Sequence, residues 1–252
     1  MTEPRTTIPK GSWIRVTAWL QSSSYGSRSS KSSWLVEDLF KSSAYNGDFE
    51  LVQVSDLAAT GAFDESVKGM SAVLHVASIT SFDPDPNKVV PQTVAGATSI
   101  LHASLQQPSM KAFVYTSSIV AASKTEAEIA VQKFIAEKKP HFGVNSVFPA
   151  AIIGEPLDKK HLEIPYAFLK ILYDGNISVL PSMSPVFHID VKDVALLHVA
   201  AVLDPGLKNA RLQAWAESYG WYDVLAIHCS EALPRTKIWR RYIVSNTAFH
   251  DN

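Results

Sequence analysis

Three hydroxyl side chains, Thr116, Ser117 and Ser118, follow the apolar run Phe113-Val114-Tyr115, and Lys124 stands six positions after the last of them. The run is β-branched and aromatic, the composition of a buried strand, so the hydroxyls fall at a strand's carboxyl end. From Ser123 the pattern turns helical. Ala127, Ile129, Ala130, Phe134 and Ile135 share one stripe. Ser123 or Thr125 can cap this helix, and Glu126 and Glu128 suit its first turn. A hydroxyl and a lysine, both hydrogen-bond donors, are thus brought to the carboxyl edge of a sheet. Open α/β folds bind their ligands at that edge.

The elements that must position these residues alternate along the chain. Strands are predicted over 13–17, 49–54, 72–77, 113–115, 144–147 and 186–189, and helices over 34–40, 58–68 (helix or turn), 91–107, 161–173 and 193–203. Gly69 closes the 58–68 element. The near-continuous apolar run 72–77 reads as a strand covered on both faces. Residues 82–87, Phe-Asp-Pro-Asp-Pro-Asn, read as a turn-rich loop. Eight of the residues from Gln21 to Ser33 are serine, which gives that stretch little to bury and predicts a loop. Strands and helices at crossover spacing predict an α/β fold with a parallel sheet wrapped on both sides.

The 252 residues suffice for one large α/β domain, and a hydrophobic content of 46% is that of an ordinary globular protein. The net charge is −1 and no Lys/Arg-rich run occurs, so nucleic acid and anionic membranes are not expected partners. Cys229 is the single cysteine, which excludes an intramolecular disulfide. The first residues lack the apolar core of a signal peptide, and no run reaches membrane-spanning length. These features predict a cytoplasmic protein. His188, Asp190 and Asp193 do not fit a metal-ligand spacing, and Asp193 reads as a helix cap, so no metal is expected.

From about Glu50 the chain resembles the extended short-chain dehydrogenase/reductase family, and within it the fungal aldehyde and ketone reductases related to dihydroflavonol reductase. The resemblance rests on an ordered set: F-E-L-V-Q-V-S-D-L at 49–57, G-A-F-D-E-S-V-K-G-M at 61–70, H-V-A-S at 75–78, F-D-P-D-P-N-K-V-V-P at 82–91 and V-A-G at 94–96. It continues with V-Y-T-S-S at 114–118, S-K-T-E-A-E at 123–128 and H-I-D-V-K-D-V-A at 188–195. It implies a Rossmann-like doubly wound parallel sheet, NADPH as cofactor and a small-molecule carbonyl substrate. Asp56 and Leu57 would contact the adenine, with helix capping the alternative role for Asp56. The backbone of His75, Val76 and Ala77 would line the cofactor groove. Ser118 would hydrogen-bond the substrate carbonyl, or simply be a strand-end hydroxyl. Lys124 would bind the nicotinamide ribose, and Pro149 to Ile152 would lie near the nicotinamide. Hydride transfer builds negative charge on the carbonyl oxygen, which is why a donor and a proton source are needed there.

The chain departs from the family pattern in four places. Ala18, Gln21 and Ser24 replace the glycines that let backbone approach a pyrophosphate. Between Thr17 and Lys31 there is no room for a helix and the second strand. The position four before Lys124, where the family has a tyrosine, is Val120. The tail after Asp223 matches no substrate lobe. A literal Tyr-x-x-x-Lys at Tyr166 and Lys170 comes too late in the fold and arises often by chance on a helix. The expectation is therefore an incomplete sheet with a truncated C-terminal lobe: residues 1–223 form the nucleotide-binding domain with parts of the lobe, and 224–252 a divergent tail. Carbonyl reduction is expected with impaired activity, the alternative being a catalytically inactive remnant.

Overall fold

A computed structural model describes residues 14–17, 52, 54–77, 85–119, 122–154, 186–220, 223, 224 and 226. The calls on 18–51, on Tyr166 and Lys170 and on Cys229 lie outside these residues. The chain falls into two compact units, one of Met1–Phe148 with Leu197–Leu212 and the other of Pro149–Leu196 with Gln213–Asn252.

The first unit is built on strands β1 (Ile14–Thr17), β2 (Ala72–His75), β3 (Ala112–Thr116) and β4 (Gly143–Pro149). These four pair in that order, each neighbouring pair parallel, and β7 (Arg211–Ala214) follows β4 in the sheet. The expected parallel α/β sheet is therefore present. In β3 all five residues are buried, as expected of a strand covered on both faces.

Two helices cover one face. Helix α1 (Pro86–Leu105) starts five residues before the expected start at 91. The physical reason is a cap: the Asp85 carboxylate accepts from the Asn87 N–H at 3.0 Å, and Pro86 takes a first-turn position where its missing N–H costs nothing. The second helix, α2 (Ala122–Lys138), also starts early, so Ser123 and Thr125 lie inside it and do not cap it. Its buried residues are Lys124, Ala127, Glu128, Val131 and Phe134. The expected stripe is corrected: Ile129 is 57% exposed, and two charged side chains take core positions at helical spacing. Ile100, Leu101, Ala127, Val131 and Phe134 of these helices join Val73, Phe113, Tyr115 and Val144 of the sheet in one core.

The expected strand over 49–54 is not formed at Val52 or Val54. Residues 57–69 are a run of turns, and Gly69 adopts φ +72, the left-handed conformation expected of a closing glycine. Beyond β4, helix α3 (Val191–Leu203) begins two residues before the expected 193. Asp190 serves the turn in place of Asp193, its Oδ1 accepting from the Lys192 N–H at 2.7 Å.

The second unit holds a small sheet of β5 (Ala151–Ile153), β6 (Val186–Asp190) and β8 (Glu217–Tyr219), with β5 parallel and β8 antiparallel to β6. Gly154 leaves β5 at φ +139, and a Cβ there would stand 2.7 Å from Val191 Cγ1. Only glycine suits that position. No helix among the described residues is long and apolar enough to cross a membrane.

Candidate active site

Parallel register sets the site. Thr17 of β1 lies opposite His75 of β2, and His75 opposite Tyr115 of β3. Three adjacent strands therefore end together, and polar side chains meet there. His75 is buried, and its Nδ1 is 2.7 Å from Thr17 Oγ1. Burial, and then the charge of Lys124, pull the imidazole down to about 3, so it stays neutral at physiological pH. Its ring stacks on Tyr115 with centroids 5.9 Å apart.

The buried polar position on α2 brings Lys124 over this layer. Lys124 Nζ donates to the carbonyls of Thr116 at 2.7 Å, Ala77 at 3.2 Å and Val76 at 3.3 Å. It also lies 5.0 Å above the Tyr115 ring. Three carbonyls match the three protons of an ammonium. Burial opposes that charge and lowers the amine to about 7. Lys124 therefore ties the carboxyl ends of β2 and β3 together from the helix above them.

Tyr115 is fully buried, and its hydroxyl donates to the Lys124 carbonyl at 3.3 Å. Burial and the nearby Glu128 carboxylate push its pKa up. A phenol so placed is a poor acid. Glu128 is itself buried and accepts from Arg211 Nε at 2.6 Å, while the Arg211 guanidinium lies 5.0 Å from the Phe148 ring centroid.

Of the residues singled out from the sequence, the fold brings Ser118, Lys124, His75, Val76 and Ala77 to the one edge. Ser118 is half-buried, two residues past the end of β3. The N–H groups of Val76 and Ala77 both donate to the Thr17 carbonyl, at 3.1 and 2.9 Å, and their own carbonyls accept from Lys124. These groove-lining backbone groups are thus engaged within the protein. Asp56 is exposed, and its Oδ1 accepts from the Ala58 N–H at 2.9 Å, so it holds its own turn. Leu57 is half-buried against the core, where a Cβ at Gly96 of α1 would stand 3.6 Å from its Cβ. Pro149, at the end of β4, and Ile152, in β5, belong to the second unit.

The sequence reading placed Thr116 at the strand end without a role and missed Thr17, Glu128 and His198. Thr17 carried a signal, since it ends a predicted strand. Glu128 carried one too, being four residues after Lys124 and hence one turn above it. His198, in α3, is buried, with Nε2 2.7 Å from Thr116 Oγ1 across 82 positions of sequence. No local pattern announces that pair.

The chain matches known reductases. Residues 28–142 match the family model described as the 3-beta hydroxysteroid dehydrogenase/isomerase family. Aldehyde reductase 2 of Sporidiobolus salmonicolor is 31% identical over 226 residues, covering 72% of this chain and 66% of that protein. Ketoreductase adrE of Penicillium rubens is 31% identical over 232 residues, covering 77% of this chain and 68% of that protein. The chain thus spans about two thirds of the length of these relatives. Among solved structures, yeast methylglyoxal/isovaleraldehyde reductase Gre2 complexed with NADPH superposes with a TM-score of 0.66 at 22% identity, covering 87% of this chain and 72% of that one.

Proposed function

The chain belongs to the extended short-chain dehydrogenase/reductase family, and on that premise we propose that it reduces an aldehyde or ketone to an alcohol with NADPH. Two relatives at 31% identity carry the names aldehyde reductase and ketoreductase, which supports carbonyl reduction. The choice of NADPH over NADH follows the fold neighbour Gre2, which is complexed with NADPH. The observation that carries the reading in this chain is Lys124 Nζ at the carboxyl ends of β2 and β3, held by three carbonyls.

The residues at the edge fit a nucleotide cofactor in part. Thr17, His75 to Ala77 and Thr116 to Ser118 end side by side, as a groove along the edge requires. The N–H groups of Val76 and Ala77 are spent on Thr17, so the groove offers carbonyl lone pairs and side chains. When bound, the cofactor supplies the hydride. Lys124 would hold the nicotinamide ribose by turning one ammonium proton to it from a carbonyl, the Val76 bond at 3.3 Å being the longest of the three. The Ser118 hydroxyl would donate to the substrate carbonyl oxygen. Asp56 and Leu57 would flank the adenine, and the backbone of His75, Val76 and Ala77 would line the groove. Lys124 Nζ also carries an ionisable proton brought near neutrality by burial, the range in which a proton donor works best.

A second reading, a catalytically silent copy, is favoured by one observation. Val120 stands where the family's tyrosine would be, and the phenol beside Lys124, Tyr115, is buried and engaged. Loss of acid–base help alone costs roughly 10²–10⁴-fold in rate. Titration of the purified chain with NADPH by nicotinamide fluorescence, NADH as control, followed by an aldehyde and ketone screen, separates the two. Saturable binding with turnover that Ser118→Ala and Lys124→Met both abolish is the expected result. Failure to bind millimolar NADPH would leave the silent copy standing.

A further inference from the structure

We infer that His198 is a positioning residue of the candidate site: through the Thr116 hydroxyl it holds the end of β3, and with it the carbonyl on which the Lys124 ammonium sits. This rests on the reductase reading of Lys124, but its geometry is independent of any ligand.

Thr116 is the last residue of β3, and side chains alternate along a strand. Phe113 and Tyr115 face the core under α1 and α2. Val114 and Thr116 therefore face the other way, toward the part of α3 that carries His198. One residue is thus held from both faces of the sheet. Its side chain pairs with His198 Nε2 at 2.7 Å, and its carbonyl accepts from Lys124 Nζ at 2.7 Å, the shortest of the three lysine bonds. Thr116, His198 and Lys124 are all buried, so water cannot readily replace either bond.

Helix α3 is also docked elsewhere, which makes mere docking by His198 redundant. Asn145 of β4 lies beside Val114 in register, and its Nδ2 donates to the carbonyls of Ala201 and Leu207 at 2.9 and 3.0 Å. Its Oδ1 accepts from the Ala210 N–H at 3.0 Å. That side chain fixes the end of α3 and the loop after it. His198 is the buried polar contact of the same helix that lies nearer the ligand edge.

The test uses the full chain labelled with 13Cε-lysine and follows Lys124 by NMR as pH is varied, the resonance being identified by its loss in Lys124→Met. In the wild-type chain burial lowers the Lys124 amine to about 7. The other ionisable groups facing it are His75 on β2, Tyr115 on β3 and Glu128 on its own helix, and none is altered by the variants. Thr116→Val and His198→Leu free the Thr116 carbonyl, weaken the hold on the ammonium and lower the midpoint by about half a pH unit or more. His198→Gln, whose amide can still reach the Thr116 hydroxyl, restores it. If the chain turns over carbonyls, kcat/KM falls roughly 10-fold to 100-fold in the first two variants, the scale on which misplacement from outside the chemistry acts. An unchanged Lys124 midpoint in Thr116→Val, the near-isosteric variant, would overturn the inference and leave the pair a helix-docking contact. A chain that ignores NADPH but shows the shifted midpoint would sink the reductase reading and keep the positioning role.

Discussion

The same four parallel strands end in two different environments. At their amino ends Ile14, Ala72, Ala112 and Gly143 line an open trough of about 280 Å³, walled by the end of α3 and the loop after it. The lining is mostly apolar, and Lys111 and Lys208 are exposed at it. At their carboxyl ends the half-buried Thr17 and the buried His75, Thr116 and Lys124 each have a polar partner within 3.3 Å. A strand direction shared by all four makes the ends chemically distinct, because the carbonyls past the last pairing point outward together at one edge. Lys124 exploits that convergence. Among the described residues the amino end has no comparable focus of acceptors, and Lys111 and Lys208 there are exposed.

The largest expected effect tests that contrast directly. Lys124→Met leaves three carbonyls short of a donor, those of Thr116 and Ala77 in buried bonds, and should lower the unfolding free energy by about 1–3 kcal/mol. Lys208→Met, at the trough, should stay within about 0.5 kcal/mol of wild type. Urea denaturation of the two variants measures both. Equal losses would mean the carboxyl edge is held by its apolar packing and that the lysine bonds add nothing net.

Acidification should next separate the two ends. His75 has a folded-state value near about 3 against the ordinary 6.5, so the unfolded chain binds more protons between those limits. The stability this neutral imidazole contributes is complete above pH 6.5 and is lost as pH falls toward 3. Lys124 works in the alkaline window in the same sense. Its folded value near about 7 lies below the ordinary 10.5, so its contribution to stability grows as pH rises from 7 to 10.5. Thermal melts across pH should show both slopes in wild type, with the acid slope flattened in His75→Asn and the alkaline slope flattened in Lys124→Met. Slopes that survive the substitutions would assign them to other groups.

The sequence made the sheet legible and half of the site. Ala112–Thr116 is dense in β-branched and aromatic residues and Ala72–Leu74 is apolar throughout, so composition alone places both strands and the hydroxyls that end the second. Ser118 and Lys124 were placed at that edge by the same pattern, and the 75–77 segment was singled out by the resemblance. Helix α2 was legible as a helix but not in its orientation. Reading only apolar residues put Ile129 inward, whereas Lys124 and Glu128 hold the buried stripe because each has a partner in the sheet layer, the carbonyls in one case and Arg211 in the other. The start of α1 was legible in Asp85-Pro86, a cap followed by a first-turn proline, and was passed over as a turn. The Val52–Val54 alternation misled because alternation alone does not supply a pairing partner. Thr116 and His198 lie beyond any local reading, since 82 positions of sequence separate them.

The smallest expected effect probes the amino end by filling it. Gly143 opens β4 without a left-handed φ, and a Cβ there would meet the Leu207 carbonyl oxygen and Lys208 Cγ at 3.5 Å, ordinary contact. The loop that would receive it is already fixed: Asn145 binds the Leu207 carbonyl and the Ala210 N–H, and the Val144 N–H donates to Asn209 Oδ1 at 3.2 Å. Asn209 accepts its φ of +56 because a short amide side chain tolerates that conformation. Gly143→Ala should therefore cost no strain, restrict the unfolded chain and raise stability by about 0.4–1 kcal/mol. Urea denaturation is again the measurement. A loss of stability would show that the trough cannot yield even a methyl group, and the picture of an amino end with room to spare opposite a closely packed carboxyl end would have to be given up.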